Sequence, residues 1–133
     1  MSEENVEIAR RGYEAFNKGD PDGMVANFAP SFEYVTTGGI PGVDAVYQGP
    51  EGLTEFVGWM WGEFEEPRIE VHELTEAGDQ VLAEVTLRGR GKQSGVETSW
   101  NIWHLWTAQA GKIVRGQAFT SRQEALEAAG LSE

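Results

Sequence analysis

Between residues 68 and 119 the chain is almost entirely strand and turn. Four β-rich segments, RIEVHELT, QVLAEVTLRGRG, ETSWNIWHLWTA and IVRGQAFT, are separated only by EAGD, GKQSGV and QAGK. Connections this short join antiparallel neighbours, because a parallel pair needs a long crossover. The second half of the chain is therefore predicted to be a four-stranded antiparallel meander. A sheet of that kind is apolar on at least one face, so something must pack against it.

The first half supplies the cover. Val6, Ala9, Tyr13 and Phe16 recur at helical spacing over residues 5–17, and NKG ends that run. Asp20-Pro21 reads as an N-cap with proline at the first helical position, opening a short second helix with Met24, Val25 and Phe28. SFEYVTT alternates as a strand with Phe32, Tyr34 and Thr36 on one face. GGIPGVDAVYQG reads as a glycine-rich loop. Gly49-Pro50 then opens a third helix with an apolar stripe of Leu53, Phe56, Val57, Met60 and Phe64, ended by Pro67. At the C-terminus Ser121 and Glu124 have capping-box spacing and Gly130 suits the end of a short helix.

With no repeat or linker, residues 1–133 read as one α+β domain. Its architecture is a cone-shaped, curved antiparallel sheet wrapped by three N-terminal helices, with a short C-terminal helix. A curved sheet closed off by helices leaves room for a pocket.

The totals exclude several function classes. A net charge of −12 argues against nucleic acid and anionic membranes, which need a basic footprint. There are no cysteines, so disulfides, thiol chemistry and Cys-based zinc sites are excluded. No stretch of apolar residues is long enough to span a membrane, and MSEENVEIARRG lacks the basic and apolar regions of a signal peptide, so a cytoplasmic protein is expected. No basic residue lies between Lys18 and Arg68. That asymmetry reads first as a solvated acidic surface, and second as a few buried arginines of the later half meeting acids of the earlier one. His72 and His104 are far apart, without ligand spacing, so no metal is expected. GxSxG, P-loop and GxGxxG motifs are absent, and no cofactor is expected.

Four segments, YEAFNKGDPDGMVANFAP, YQGPEGLTEFV, HLWTAQAGKIVRGQAF and SRQEALEAAGL, carry a resemblance that covers essentially the whole chain. The chain resembles the SnoaL-like branch of the nuclear-transport-factor-2-like superfamily, which includes ketosteroid isomerases and polyketide cyclases. The resemblance implies a cone-shaped α+β barrel, a deep apolar pocket, and a homodimer formed through the outer face of the sheet. It does not fix a reaction. The ketosteroid isomerase base falls on Thr36, which cannot act as one. Its oxyanion tyrosine falls on Gly12, next to Tyr13, and its protonated aspartate falls on His104. Steroid isomerisation is therefore not expected.

Strand alternation sorts the candidates. An inward His104 brings Trp100, Ile102, Trp106 and Ala108 with it and turns Ser99, Asn101, Trp103, Leu105 and Thr107 outward. Both faces of this strand are rich in apolar residues, which implies a covered outer face, most simply by a second subunit. On the preceding strand, periodicity makes Val81, Ala83, Val85 and Leu87 the core set. The family alignment instead turns Glu84 and Arg88 to the cavity. On the last strand Ile113, Arg115, Gln117 and Phe119 are expected to share a face.

Two functions follow, and the residues do not choose between them. One is a pocket protein for a small, apolar, ring-bearing metabolite that isomerises, cyclises or dehydrates it by proton transfer beside a carbonyl. There His104 is the base or acid and Glu84 orients it. Tyr13, Tyr34 or Arg88 bonds the developing enolate, while Trp59, Trp100, Trp106, Gln117 and Phe119 complete the ligand wall. The other is a non-catalytic ligand-binding or dimerisation module. The missing aspartate base and the neutral Gln117 and Phe119 favour it.

Overall fold

The computed structural model describes residues 2–36 and 46–131. The elements in chain order are α1 (Ser2–Lys18), α2 (Pro21–Met24), β1 (Phe28–Val35), β2 (Val46–Gln48), α3 (Gly49–Glu63), β3 (Phe64–Ala77), β4 (Gln80–Gly91), β5 (Glu97–Gln109), β6 (Lys112–Phe119) and α4 (Arg122–Ala129). One curved, open sheet runs β2-β1-β6-β5-β4-β3. β3 to β6 form the expected antiparallel meander. α1 and α3 pack on one face of the sheet, and α4 packs on β4, β5 and β6.

Several expectations need correcting. The sheet is not wholly antiparallel: β1 lies parallel to β6. Its sequence neighbour in space comes from far along the chain, so no turn signal announces the pairing. Tyr47, at the end of the stretch read as a loop, belongs to the short edge strand β2. Residues 38–45 of that loop, and Thr37 at the end of the expected strand, lie outside the described residues. α2 is a single turn, held by Gly23 N–H donating to the Asp20 carboxylate at 3.0 Å. Phe28 therefore starts β1 instead of extending a helix.

α3 ends at Glu63, and β3 runs straight on through Pro67. Proline has no N–H to give a ladder, but β3 is an edge strand and its pairing slips between Glu65 and Arg68, where Glu66 takes a positive φ of 47°. The bulge carries Pro67 past the missing hydrogen bond. Farther along, Asn17 at the end of α1 clamps the Ile69 backbone, accepting from its N–H at 2.7 Å and donating to its carbonyl at 2.9 Å. α1 and the edge strand are thereby fixed relative to one another.

The main core joins α1, α3 and the inner face of the sheet through Phe16, Phe32, Tyr34, Leu53, Val57 and Ile113. A second cluster, Leu82, Leu105, Ala125 and Leu126, lies under α4. The outer face of β5 thus receives part of its cover from the chain's own C-terminal helix. That helix has the expected caps: the Glu124 N–H donates to Ser121 Oγ at 3.3 Å, and Gly130 is left-handed at φ 73°. Of the arginines of the later half, Arg115 meets an acid of the earlier half, Glu33, and Arg88 meets Glu70 of its own half; both pairs are solvent-exposed, so neither is the buried contact expected. No helix among the described residues is long and apolar enough to cross a membrane.

Candidate functional site

α1, α3 and the inner sheet face do not close on each other. Between them lies a cavity of about 490 Å³. Its wall is built from α1 through Ile8, Tyr13 and Phe16, from α3 through Leu53, Phe56 and Met60, and from the sheet through Val85, Leu87, Ile102 and Ile113. The wall is overwhelmingly apolar. Thr36, Ser99, Asn101 and Thr120 also border it, but these are half-buried or exposed.

The polar cluster is the buried Tyr13, Tyr34 and His104 with the half-buried Trp106. His104 projects from β5 opposite Ala83 of β4 and Ala118 of β6, two small side chains that leave the imidazole room. Tyr13 Oη lies 2.7 Å from its Nδ1, and Tyr34 Oη lies 3.1 Å from its Nε2. Trp106 Nε1–H donates to Tyr13 Oη at 2.8 Å. The Tyr13 and His104 rings stack at 5.8 Å, and Trp106 stacks on Tyr34 at 6.1 Å. Gly116 opposite Trp106 makes this packing possible: a Cβ there would come within 2.4 Å of the indole.

Burial sets the charge state. Loss of solvation disfavours the imidazolium and pushes His104 down to about 4. The same loss pushes both tyrosine hydroxyls up, Tyr13 most, so both stay protonated at neutral pH. The cluster is neutral throughout. Among the described residues, no buried side-chain polar atom lacks a partner. Nor do three or more histidine or carboxylate side chains gather among them to hold a metal ion.

Tyr13, Tyr34, Trp59, Trp100, Trp106, His104 and Phe119 all border the cavity. Trp59 and Trp100 are each about 40% exposed, which places them at its rim. Trp61, two residues on in α3, packs on Phe16 at 5.8 Å. Three expected members are elsewhere. Glu84 pairs in register with Trp103 on the outer face, while Ala83, facing His104, occupies the inner one. Arg88 is exposed and bonded to Glu70. Periodicity in VLAEVTL set the facing here: Val81, Ala83, Val85 and Leu87 are buried, and turning them out to admit two charges would expose four apolar side chains.

Gln117 is the third. β5 and β6 slip register between Thr107 and Ala108, so Ile113 points into the core while Arg115 and Gln117 pair with Thr107 and Leu105 on the outer face. The four residues expected on one face are split by this bulge. Phe119, at the end of β6, borders the cavity and also packs against the cluster under α4. Gly116 escaped notice in the sequence; the only signal was a glycine inside the otherwise strand-like IVRGQAF.

Among solved structures, the fold matches TerC co-crystallised with polyporic acid (23% identity, 96% of this chain and 98% of that one, TM-score 0.80). It also matches a ketosteroid isomerase-like protein from Catenulispora acidiphila in complex with trimethylamine (21%, 95% and 94%, 0.76). A third is a nuclear-transport-factor-2-like protein from Burkholderia thailandensis (26%, 96% and 97%, 0.78). No curated protein matches the chain. Residues 9–116 match the SnoaL-like domain, and the chain belongs to that family.

Proposed function

We propose that this protein binds a small, mostly apolar, ring-bearing molecule in the cavity between α1, α3 and the sheet, with the ligand's polar end against Tyr13, His104 and Tyr34. One observation carries the reading. Among the described residues, an apolar hollow of about 490 Å³ holds one polar cluster, all of it uncharged. Charged or highly polar ligands would lose their hydration there without compensation, whereas flat apolar rings gain by burial against Trp106 and Phe56. That two proteins of this fold crystallised with bound small molecules supports a ligand-holding role.

The imidazole is less suited to abstract a proton than to hold one in place. Both ring nitrogens already face tyrosine hydroxyls, and a general base needs a free lone pair within reach of the substrate. Glu84 is not beside it. No carboxylate borders the cavity among the described residues, so a proton leaving a bound ligand has no acceptor there, and the neutral cluster is suited to holding a carbonyl oxygen. The deciding experiment is native mass spectrometry of the purified protein, followed by soaking of ring-bearing ketones. A bound apolar compound displaced by His104→Trp supports the reading. A cavity that takes up only water and buffer at every ligand concentration refutes it. We also propose that a second copy of the chain covers the outer sheet face beside α4; a monomeric mass by light scattering would refute it.

A further inference from the structure

We propose that the Trp106 indole sets the direction of hydrogen bonding through Tyr13 and His104, and so leaves the Tyr34 hydroxyl as the donor this cluster offers to the ligand. The cavity then selects ring compounds carrying an oxygen acceptor, such as a ketone, at that end. This rests on the reading that the cavity holds an apolar ring-bearing ligand, and it goes on to name what that ligand must carry.

The proposal starts from a count. The four side chains bring four hydrogens: one indole N–H, two phenol O–H and, since the imidazole is neutral, one ring N–H. They make three contacts with each other. One hydrogen is therefore left over whichever ring nitrogen is protonated. With the proton on Nε2, Tyr13 donates to Nδ1, Nε2–H donates to Tyr34, and the spare hydrogen is on Tyr34. With the proton on Nδ1, Tyr13 accepts from both Trp106 and His104, and the spare hydrogen is its own.

Trp106 decides between these. Its N–H is a donor only, and it already points at Tyr13 Oη. With Nε2 protonated each phenol oxygen accepts one hydrogen, whereas with Nδ1 protonated two donors converge on Tyr13 Oη and none reaches Tyr34 Oη. The distances agree. The 2.7 Å contact suits O–H donating to Nδ1, and the 3.1 Å contact suits N–H donating to an oxygen, since hydroxyl donors make the shorter bonds. Tyr34 borders the cavity, so its spare hydrogen can be met by an acceptor held there. A buried donor left unmet is costly, and the ligand's oxygen relieves that cost. Trp106 is in this scheme a positioning residue, and Tyr34 the specificity-determining one.

The experiment has two arms. Nitrogen-15 NMR of the His104 ring at neutral pH is expected to show the proton on Nε2. Trp106→Phe is expected to move the two ring-nitrogen shifts towards each other as the preference relaxes. A proton on Nδ1 in the wild type, or no change in the variant, overturns the assignment. The second arm titrates 9-fluorenone against fluorene, which differ only in a carbonyl for a methylene. The ketone is expected to bind on the order of tenfold more tightly, the worth of one well-placed hydrogen bond. Tyr34→Phe is expected to abolish that preference while keeping fluorene affinity. Equal binding by the wild type sinks the selectivity and leaves the pocket standing. Failure of both compounds to bind removes the proposed function itself, with the selectivity that depends on it. If Trp106→Phe does not fold, the wild-type tautomer and Tyr34→Phe still decide.

Discussion

The two faces of the β4–β5 ladder each hold an imidazole against a hydroxyl, and the two contacts have little else in common. Inside, Ala83–His104, Val85–Ile102 and Leu87–Trp100 face the cavity. Glu84–Trp103, Thr86–Asn101 and Arg88–Ser99 make up the alternate face of the ladder. On the outer side His72 Nε2 lies 2.6 Å from Thr86 Oγ1, which itself donates to Asn101 at 2.9 Å. His72 is exposed, so water can replace any of its partners. His104 is buried among rings, where each hydrogen must end on a protein or ligand atom. The same pair of groups is a replaceable surface network on one side and a directional device on the other. What differs is access of water.

The largest expected effect tests whether the two faces are packed alike. Leu105, wholly buried under α4, should cost about 2–5 kcal/mol when cut to alanine, because the atoms around it cannot collapse into the gap. Ile102→Ala on the cavity side should cost clearly less, since that side chain already borders open space. Urea denaturation of both variants checks this; equal losses would mean that the cavity is filled as tightly as the outer cluster.

Next comes pH. His104 is held down to about 4 in the folded protein, against 6.5 when solvated. Between those values the unfolded chain binds the extra proton, so stability rises with pH across this window. Its contribution is complete above about pH 6.5 and is lost as pH falls towards 4, on the order of 3 kcal/mol in all. His104→Gln should flatten that part of the stability profile. An unchanged slope would place the imidazole in water, and the contrast between the two faces would go with it.

A smaller effect separates the two tyrosines. Tyr13→Phe strands the buried His104 Nδ1, at roughly 1–3 kcal/mol, and also the half-buried Trp106 N–H. Tyr34→Phe strands only Nε2–H, so it should destabilise the protein by less. Chemical denaturation ranks them; the reverse order would mean that Tyr34 and not Tyr13 is the centre of the chain of bonds.

How much of this could be read from the residues depends on the range of the interaction. The meander was legible because alternation and turns are local, and so was the inward set Trp100–Ile102–His104–Trp106. The parallel β1–β6 pairing was not, because it joins residues like Tyr34 and Gly116 across most of the chain. The β5–β6 bulge was equally invisible, and Gln117 was misplaced by it. Tyr13, Tyr34 and His104 were each named, but their convergence on one imidazole depends on where α1 sits over the sheet. The Asn17 clamp on Ile69 fixes that, and no spacing rule reports it.

Glu84 and Arg88 offer the smallest expected effect and the sharpest test of which reading of β4 governs function. Family alignment turned them into the cavity, and the apolar alternation of β4 turned them out. If the alternation is right, Arg88→Ala removes only an exposed pair with Glu70, which ordinarily contributes little. Glu84→Gln changes a half-buried side chain beside Trp103, on the far side of the sheet from the imidazole. Neither should alter ligand affinity or the tautomer of His104, and thermal melts should barely move. A loss of binding in either variant, with the fold intact by circular dichroism, would require the charge to be felt inside the cavity. β4 would then have to present its other face there, and the four buried apolar residues that now line the interior would need a new cover.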